Sequence, residues 1–161
     1  SAVVAALELS PLKLPESAIE RGLATARWPA RMQRLDSGPL PDLLNRNSEL
    51  WLDGGHNPSA GIALAQTLAD LEERAPKPLY VVCGMMGLKD AAGFLSPFRG
   101  LVRHVVTVPI PGAHEAPFTP EALAEVARRV DLSAESAADI ESALKRIEVL
   151  DERAARNETE D

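Results

Sequence analysis

The stretch "LWLDGGHNPSAG", Leu50 to Gly61, contains the transition that decides the fold. Its first residues, up to Asp53, are mainly apolar and predict a strand. Asn57 followed by Pro58 is a typical helix start, because an Asn side chain caps free backbone amides and proline fits the first helical turn. The two glycines between them let the backbone turn tightly. The stretch therefore predicts a strand, a short turn and a helix that begins at Pro58.

Strands and helices alternate over the rest of the chain. Hydrophobic periodicity and turn residues predict helices over 2–9, 16–26, 58–73, 90–98, 120–130 and 136–150, and strands over 31–35, 49–53, 79–85 and 101–109. A further short strand could lie within 131–135. Beginning with the strand at 49–53, this order is β-α-β-α, which is typical of a mainly parallel sheet flanked by helices. We therefore predict a Rossmann-like α/β fold.

The composition limits the classes of partner. The chain has 161 residues, of which 45% are hydrophobic, and 17 basic against 24 acidic residues give a net charge of −7. That size suits one domain, and the acidic balance without a basic cluster argues against a nucleic-acid partner.

The single cysteine, Cys83, lies in the apolar run "LYVVCGMM", which predicts a buried thiol in a reducing compartment. No apolar run reaches the ~20 residues of a membrane helix, and the first residues lack a basic signal-peptide region. We expect a cytoplasmic protein with no membrane partner.

Two side chains in the opening stretch are not needed for the turn itself. Asp53 and His56 should project at the carboxyl end of a strand, where open α/β sheets bind ligands. The following helix start favours an anion at the same place. The alternative is structural: Asp53 could accept hydrogen bonds from loop amides, and His56 could be a packed or solvated loop histidine.

Three separated motifs carry a family resemblance. They are "WPARMQ" (Trp28 to Gln33), "LWLDGGHNPSAG" and "VVCGMMGLKDAAGFL" (Val81 to Leu95). In order and spacing they resemble the C-terminal part of the folylpolyglutamate synthase/dihydrofolate synthase family, a branch of the Mur ligase superfamily. The resemblance runs from about residue 15 to residue 144. It implies the Rossmann-like C-terminal domain of those enzymes.

The activity implied by the resemblance is ATP-dependent amide formation. ATP converts a carboxylate of folate or dihydropteroate into an acyl phosphate, which the amino group of L-glutamate then attacks. In this family a large N-terminal domain carries the phosphate-binding P-loop and binds Mg²⁺ and much of the folate. The present sequence contains no G-x-x-x-x-G-K-[ST] motif. We therefore expect the chain to be inactive without that domain.

The same comparison with the family divides the chain into three parts. Residues 1–27 correspond to the last helices of the preceding ATPase domain or to a linker, residues 28–150 to the C-terminal domain, and residues 151–161 to a charged tail. The tail should be a fraying helix end or a disordered segment without a partner. The resemblance also implies that the family's final strand and helix, with the turn between them, are missing here.

Four residues of the first two motifs are implied to bind the nucleotide. Arg31 matches an arginine that reaches ATP phosphates, a task that suits its planar bidentate donors. Asp53 matches an aspartate near the ribose hydroxyls, His56 a histidine near the base or phosphate, and Asn57 the helix cap. The alternative for Arg31 is a surface salt bridge. The chain departs from the family pattern at Ala30, where glycine is usual, and at Gly55, where alanine is usual.

Lys89 and Asp90 match a Lys-Asp pair of the family. The resemblance implies that the lysine contacts the glutamate substrate or a phosphate. The alternative is a solvated helix start with Asp90 as its cap.

Other residues do not build a competing site. His104 lies in an apolar strand and is predicted to be a core or sheet histidine, and Met85 and Met86 are predicted to fill the core. Three scattered histidines and one cysteine lack metal-ligand spacing.

Two other functions remain open. A non-catalytic Rossmann-like nucleotide-binding module would predict G-x-G-x-x-G after the first strand, which "DGGHNPSAG" does not match. Another Mur-type amino-acid ligase is the nearer alternative, although the Trp-Pro and Lys-Asp contexts favour the folate branch.

Overall fold

The computed structural model describes residue 11 and residues 14–25 and 28–158 of the chain. The helix predicted over 2–9 lies outside these residues. The helices are α1 (Glu16–Thr25), α2 (Pro58–Arg74), α3 (Ala91–Leu95), α4 (Pro120–Arg129) and α5 (Ile140–Glu158), and the strands are β1 (Gln33–Leu35), β2 (Leu50–Leu52), β3 (Tyr80–Cys83), β4 (His104–Thr107) and β5 (Ala134–Ser136). Short 3₁₀ turns cover Pro41–Leu43 and Ser96–Phe98. Within the described residues, no helix combines the length and apolar composition needed to cross a membrane.

The core is built on a three-stranded parallel sheet with the order β3-β4-β5. On one face Val105 of β4 packs in a cluster with side chains of α2, α3 and α4, including Ala65, Phe94 and Leu123. On the other face Val106 packs with Ile147 and its neighbours on α5. Burial on both faces is what a parallel sheet requires. The predicted Rossmann-like α/β architecture is confirmed.

The strand at 49–53 does not belong to this sheet, and that part of the prediction is wrong. Strand β2 instead pairs with β1 in a separate antiparallel pair, with Gln33 opposite Leu52 and Leu35 opposite Leu50. The physical reason is burial, since a strand inside a parallel sheet is covered on both faces, whereas Trp51 is 37% exposed and Leu52 is 45% exposed. Asp53 therefore follows a strand of this separate pair and not a strand of the parallel sheet.

Several element boundaries also differ from the prediction. Strand β1 begins at Gln33 instead of Arg31, because Met32 has a left-handed backbone (φ 41°) that a strand cannot contain. The helix predicted over 90–98 is α-helical only to Leu95 and then tightens into the 3₁₀ turn that contains Pro97.

The last helix begins and ends later than the predicted range of 136–150. Helix α5 continues to Glu158, so the charged segment over 151–158 is helical. The tail was predicted to have no partner, and this is wrong for Asp151. Its Oδ1 accepts a hydrogen bond of 3.1 Å from the Tyr80 hydroxyl. Burial, and then the nearby Asp151 carboxylate, raise the pKa of Tyr80. This contact fixes the middle of α5 on the edge of the sheet.

Cys83 and His104 have the structural roles that were predicted for them. Cys83 is buried, and burial raises the pKa of its thiol to about 12. His104 begins β4, and its Nδ1 lies 2.7 Å from Ser133 Oγ. Its pKa is lowered, mainly by burial, although Glu135 lies 3.7 Å away and favours the charged ring. Met85 is 3% exposed and belongs to the core cluster, whereas Met86 is only partly buried and belongs to neither cluster, so the prediction for Met86 is wrong.

Helices α2 and α3 approach each other closely at Gly61. A Cβ added there would overlap the Phe94 carbonyl oxygen and lie 3.0 Å from the Phe94 carbonyl carbon. The obstacle is backbone, which cannot rotate away as a side chain could. Gly61 therefore fixes the distance between the helix that bears the candidate site and the core.

We expect Gly61→Ala to lower the free energy of unfolding of the chain by about 2 kcal/mol, since overpacking a tight contact typically costs this much. For a domain of this size that corresponds to a fall of roughly 4 to 8 °C in Tm. Gly22→Ala in α1 is the matched control, because among the described residues its added Cβ would meet no atom within 4 Å beyond its chain neighbours and its own helix backbone. Thermal unfolding followed by circular dichroism should show no loss for the control. An unchanged Tm for Gly61→Ala would contradict the packing described here.

Candidate functional site

An open cavity of about 350 Å³ lies at the amino-terminal end of α2. Its lining comes from the loop before β1, the loop after β2 and the first turns of α2, namely Arg31, Met32, Asp53, Gly54, Gly55, His56, Asn57, Ala60, Ala63, Leu64 and Thr67. All four residues predicted to bind a nucleotide, Arg31, Asp53, His56 and Asn57, are among them. The structure therefore brings together side chains that are up to 26 residues apart in sequence.

Asp53 joins the two loops of the cavity. Its Oδ2 accepts a hydrogen bond of 2.8 Å from the Met32 amide, and its Oδ1 accepts one of 2.7 Å from the Gly55 amide. The structural role considered for Asp53 is therefore confirmed. A carboxylate has about four acceptor positions, so these two bonds leave capacity for a ligand hydroxyl.

The turn that carries Arg31 has an unusual backbone. Ala30 (φ 53°) and Met32 (φ 41°), on either side of Arg31, are both left-handed. This conformation costs roughly 1 to 2 kcal/mol for a residue with a Cβ. The Gly54 amide donates to the Ala30 carbonyl oxygen at 2.8 Å, and the Gln33 side chain accepts from the Ala30 amide at 3.0 Å. The turn is thus held by contacts from β1 and from the loop after β2.

The Arg31 guanidinium lies across this turn. Its Nη1 donates a hydrogen bond of 2.9 Å to the Ala30 carbonyl oxygen, and the residue is exposed. A Cβ at Gly54 would lie 2.6 Å from Nη1, so a larger residue there would displace the guanidinium from this position. Because a guanidinium has five N–H donors, this local bond leaves several of them for a ligand.

His56 and Asn57 complete the loop that precedes α2. The His56 ring is exposed, and its Nδ1 lies 2.9 Å from the Gly54 carbonyl oxygen. When Nδ1 donates this bond, Nε2 of the neutral ring is an acceptor. Asn57 caps α2, because its Oδ1 accepts from the Ala60 amide at 2.9 Å, as predicted. Helix α2 has 17 residues, and its amino-terminal end favours a bound anion.

Lys89 and Asp90 do not line this cavity. Asp90 caps α3 by accepting a hydrogen bond of 2.8 Å from the Gly93 amide, so the cap considered for it is confirmed. Lys89 is exposed in the preceding turn. The start of α3 nevertheless packs on the start of α2, since a Cβ at Gly93 would lie 2.7 Å from Pro58 Cγ. A role of Lys89 and Asp90 in substrate binding stays a prediction.

Sequence reasoning missed one wall of the cavity. Ala60, Ala63, Leu64 and Thr67 of α2 form it, and their spacing of i, i+3, i+4 and i+7 is that of one helix face. Ala60 and Leu64 also pack against the core beside the buried Ala65, so this face of α2 contributes to both the cavity and the core. The helical period therefore held the signal, in an apolar stripe of which part lines the cavity.

The described part of the chain does not contain a metal site of its own. No three His, Cys, Asp or Glu side chains within it are grouped closely enough to hold an ion.

Comparison with known proteins decides the family. The sequence model of the "Mur ligase, glutamate ligase domain" family matches residues 31–155, which include the whole cavity and the parallel sheet. The chain belongs to the Mur ligase glutamate ligase domain family. The predicted family is thereby confirmed.

Relatives of this glutamate ligase domain are folate enzymes. It is 32% identical over 107 residues to the folylpolyglutamate synthase of Lacticaseibacillus casei, a match that covers 66% of the chain and 21% of the relative. It superposes on the Mycobacterium tuberculosis folylpolyglutamate synthase complexed with ADP with a TM-score of 0.70 and 27% identity, covering 91% of the chain and 30% of that structure.

A ligand-free bifunctional folylpolyglutamate synthase/dihydrofolate synthase from Yersinia pestis gives a TM-score of 0.68 and 29% identity, covering 89% of the chain and 31% of that structure. The glutamate ligase domain therefore spans between a fifth and a third of the length of these relatives. The matched region is their C-terminal part.

Proposed function

We propose that this domain forms one side of the nucleotide site of an ATP-dependent ligase that joins L-glutamate to folate or dihydropteroate. The observation that carries the proposal is the convergence of Arg31, Asp53, His56 and Asn57 on one cavity at the start of a long helix. The solved relative complexed with ADP supports a nucleotide as the ligand. The folate relatives favour a folate acceptor over the precursors used by other Mur-type ligases.

The chemistry of the cavity suits the parts of ATP. Arg31 binds phosphate oxygens through a planar pair of N–H groups. The start of α2 binds them through its backbone amides and the helix dipole. The unused acceptor positions of Asp53 bind ribose hydroxyls. His56 and the apolar face of α2 lie where a base can pack. ATP supplies the phosphoryl group that converts the acceptor carboxylate into an acyl phosphate.

Within this proposal the remaining components come from a preceding domain. The P-loop, the Mg²⁺ ligands and most of the folate pocket would belong to it, and residues 1–27 would form its last helices or a linker. Residues 28–150 then act as the closing domain, and residues 151–161 as a charged tail. Lys89, with Asp90, binds a carboxylate of L-glutamate or a phosphate. The buried reduced thiol of Cys83 suits a cytoplasmic enzyme.

Replacement of Arg31 tests the proposal. In the full-length protein that carries this domain, Arg31→Lys should lower kcat/KM for ATP by about 10- to 100-fold, nearly as much as Arg31→Ala, because lysine keeps the charge and loses the planar fork. Arg34→Lys is the matched control, since Arg34 lies on β1 outside the cavity and pairs with Asp36 at 2.7 Å. Steady-state kinetics with varied ATP measure the effect. Full activity of Arg31→Lys would mean that Arg31 is only a surface charge.

A further inference from the structure

We infer that Gln33 is a positioning residue, which holds Arg31 in the orientation that the nucleotide requires; the inference rests on the function proposed above. Gln33 does not line the cavity, and its own side chain is exposed. Its Oε1 accepts a hydrogen bond of 3.0 Å from the amide of Ala30, the residue before Arg31. Gln33 thus acts on the backbone from which the guanidinium projects.

The backbone around Arg31 needs such support. Ala30 and Met32 both have positive φ, at 53° and 41°. Left-handed backbone is unfavourable for residues other than glycine, and a turn with two such residues persists only where its surroundings hold it. Without restraint, either residue would return to the extended or right-handed region, and the side chain between them would point elsewhere.

Three hydrogen bonds supply the restraint. The carboxylate of Asp53 holds the Met32 amide at 2.8 Å, and the Gly54 amide holds the Ala30 carbonyl oxygen at 2.8 Å. Both come from the loop after β2. The third, from Gln33, comes from the strand that follows the turn. Because Gln33 is paired with Leu52 in the β1–β2 ladder, its side chain reaches back from a fixed backbone.

The requirement at position 33 is an acceptor at the end of a side chain of this length. Gln33→Met preserves length and flexibility and removes the acceptor oxygen. The Ala30 amide is then free to turn, and the restraint on the side before Arg31 is lost. Asp53 and Gly54 still hold the turn from the other side, so we expect a partial loss of nucleotide affinity.

A double-mutant cycle in the full-length protein separates positioning from a general structural role. Calorimetric titration with ATP is carried out on the wild type, Gln33→Met, Arg31→Ala and the double variant. Gln66→Met on the exposed side of α2, outside the cavity, is the matched control and should bind as the wild type does. We expect Gln33→Met to weaken ATP binding roughly three- to tenfold, the range of one partly exposed hydrogen bond. The double variant should be no weaker than Arg31→Ala alone, since Gln33 acts only through Arg31.

The outcomes distinguish this inference from the proposed function. If Arg31→Ala binds ATP as the wild type does, the inference about Gln33 and the proposed function are both wrong. If Arg31→Ala weakens binding while Gln33→Met does not, or the two effects add fully in the double variant, the positioning role of Gln33 is wrong and the proposed function stands. Thermal unfolding of Gln33→Met should match the wild type, and a lower Tm with additive losses would assign Gln33 to fold stability instead.

Discussion

The 161-residue chain alone should release no phosphate from ATP in the presence of L-glutamate and a folate acceptor. Catalysis by the proposed ligase requires the acceptor carboxylate, the γ-phosphate and glutamate in one geometry. Such positioning is worth roughly 7 to 11 kcal/mol, and one side of a site cannot supply it. The sequence has no P-loop motif, and its described residues contain no metal-ligand cluster.

The chain alone should also bind ATP weakly. Its cavity is open, and Arg31 and His56 are exposed to water, where charged contacts contribute little. We expect a dissociation constant in the millimolar range or weaker, about 4 kcal/mol of binding free energy. Calorimetry and a glutamate-dependent phosphate-release assay measure the two quantities. Micromolar binding or turnover by the chain would mean that the site, and the proposed division between two domains, are misplaced.

In the full-length protein, Asp53→Ala should reduce the rate of glutamate addition by one to three powers of ten. Two losses combine: the acceptor for the ribose hydroxyls disappears, and the Met32 and Gly55 amides lose the carboxylate that joins their loops. Positioned polar contacts of this kind contribute roughly 1.5 to 4 kcal/mol. Asp53→Asn should also be impaired, because an amide nitrogen cannot accept the second backbone N–H.

Two further variants make this second experiment specific. His56→Ala should lose activity with its fold intact, since the ring is exposed and water can replace its contact with the Gly54 carbonyl. Asp70→Ala, an exposed carboxylate on α2 outside the cavity, should behave as the wild type. Steady-state kinetics and thermal unfolding are measured for each. Wild-type rates in both Asp53→Ala and His56→Ala would mean that the loop has only a structural role.

Features that depend on local chemistry could be predicted from the sequence. The starts of α2 and α4 follow from a capping side chain and a proline, Asn57–Pro58 and Thr119–Pro120, whose interactions span only a few residues. The parallel sheet follows from the alternation of apolar strands with helices. The resemblance to the family, through the order of its motifs, predicted that Arg31 and Asp53 lie in the same site.

Features that depend on distant partners could not be predicted. Strand β2 pairs with β1 because it is not buried on both faces as the strands of the parallel sheet are. A single apolar run does not show whether a strand will be buried on one face or on both. The left-handed turn at Ala30 and Met32 is held partly by distant residues, since Asp53, 21 residues beyond Met32, accepts the Met32 amide. For the same reason the sequence could not show that Lys89 lies outside the cavity.

An NMR titration of the ¹⁵N-labelled chain with ATP tests the central claim most directly, because it reports the place of binding even at millimolar affinity. We expect the largest amide shift changes at residues 30–33 and 53–60, and Arg31→Ala should reduce them. Changes centred on a second open cavity, lined by Leu88, Glu115 and Phe118 among others, would place the nucleotide elsewhere and contradict the account.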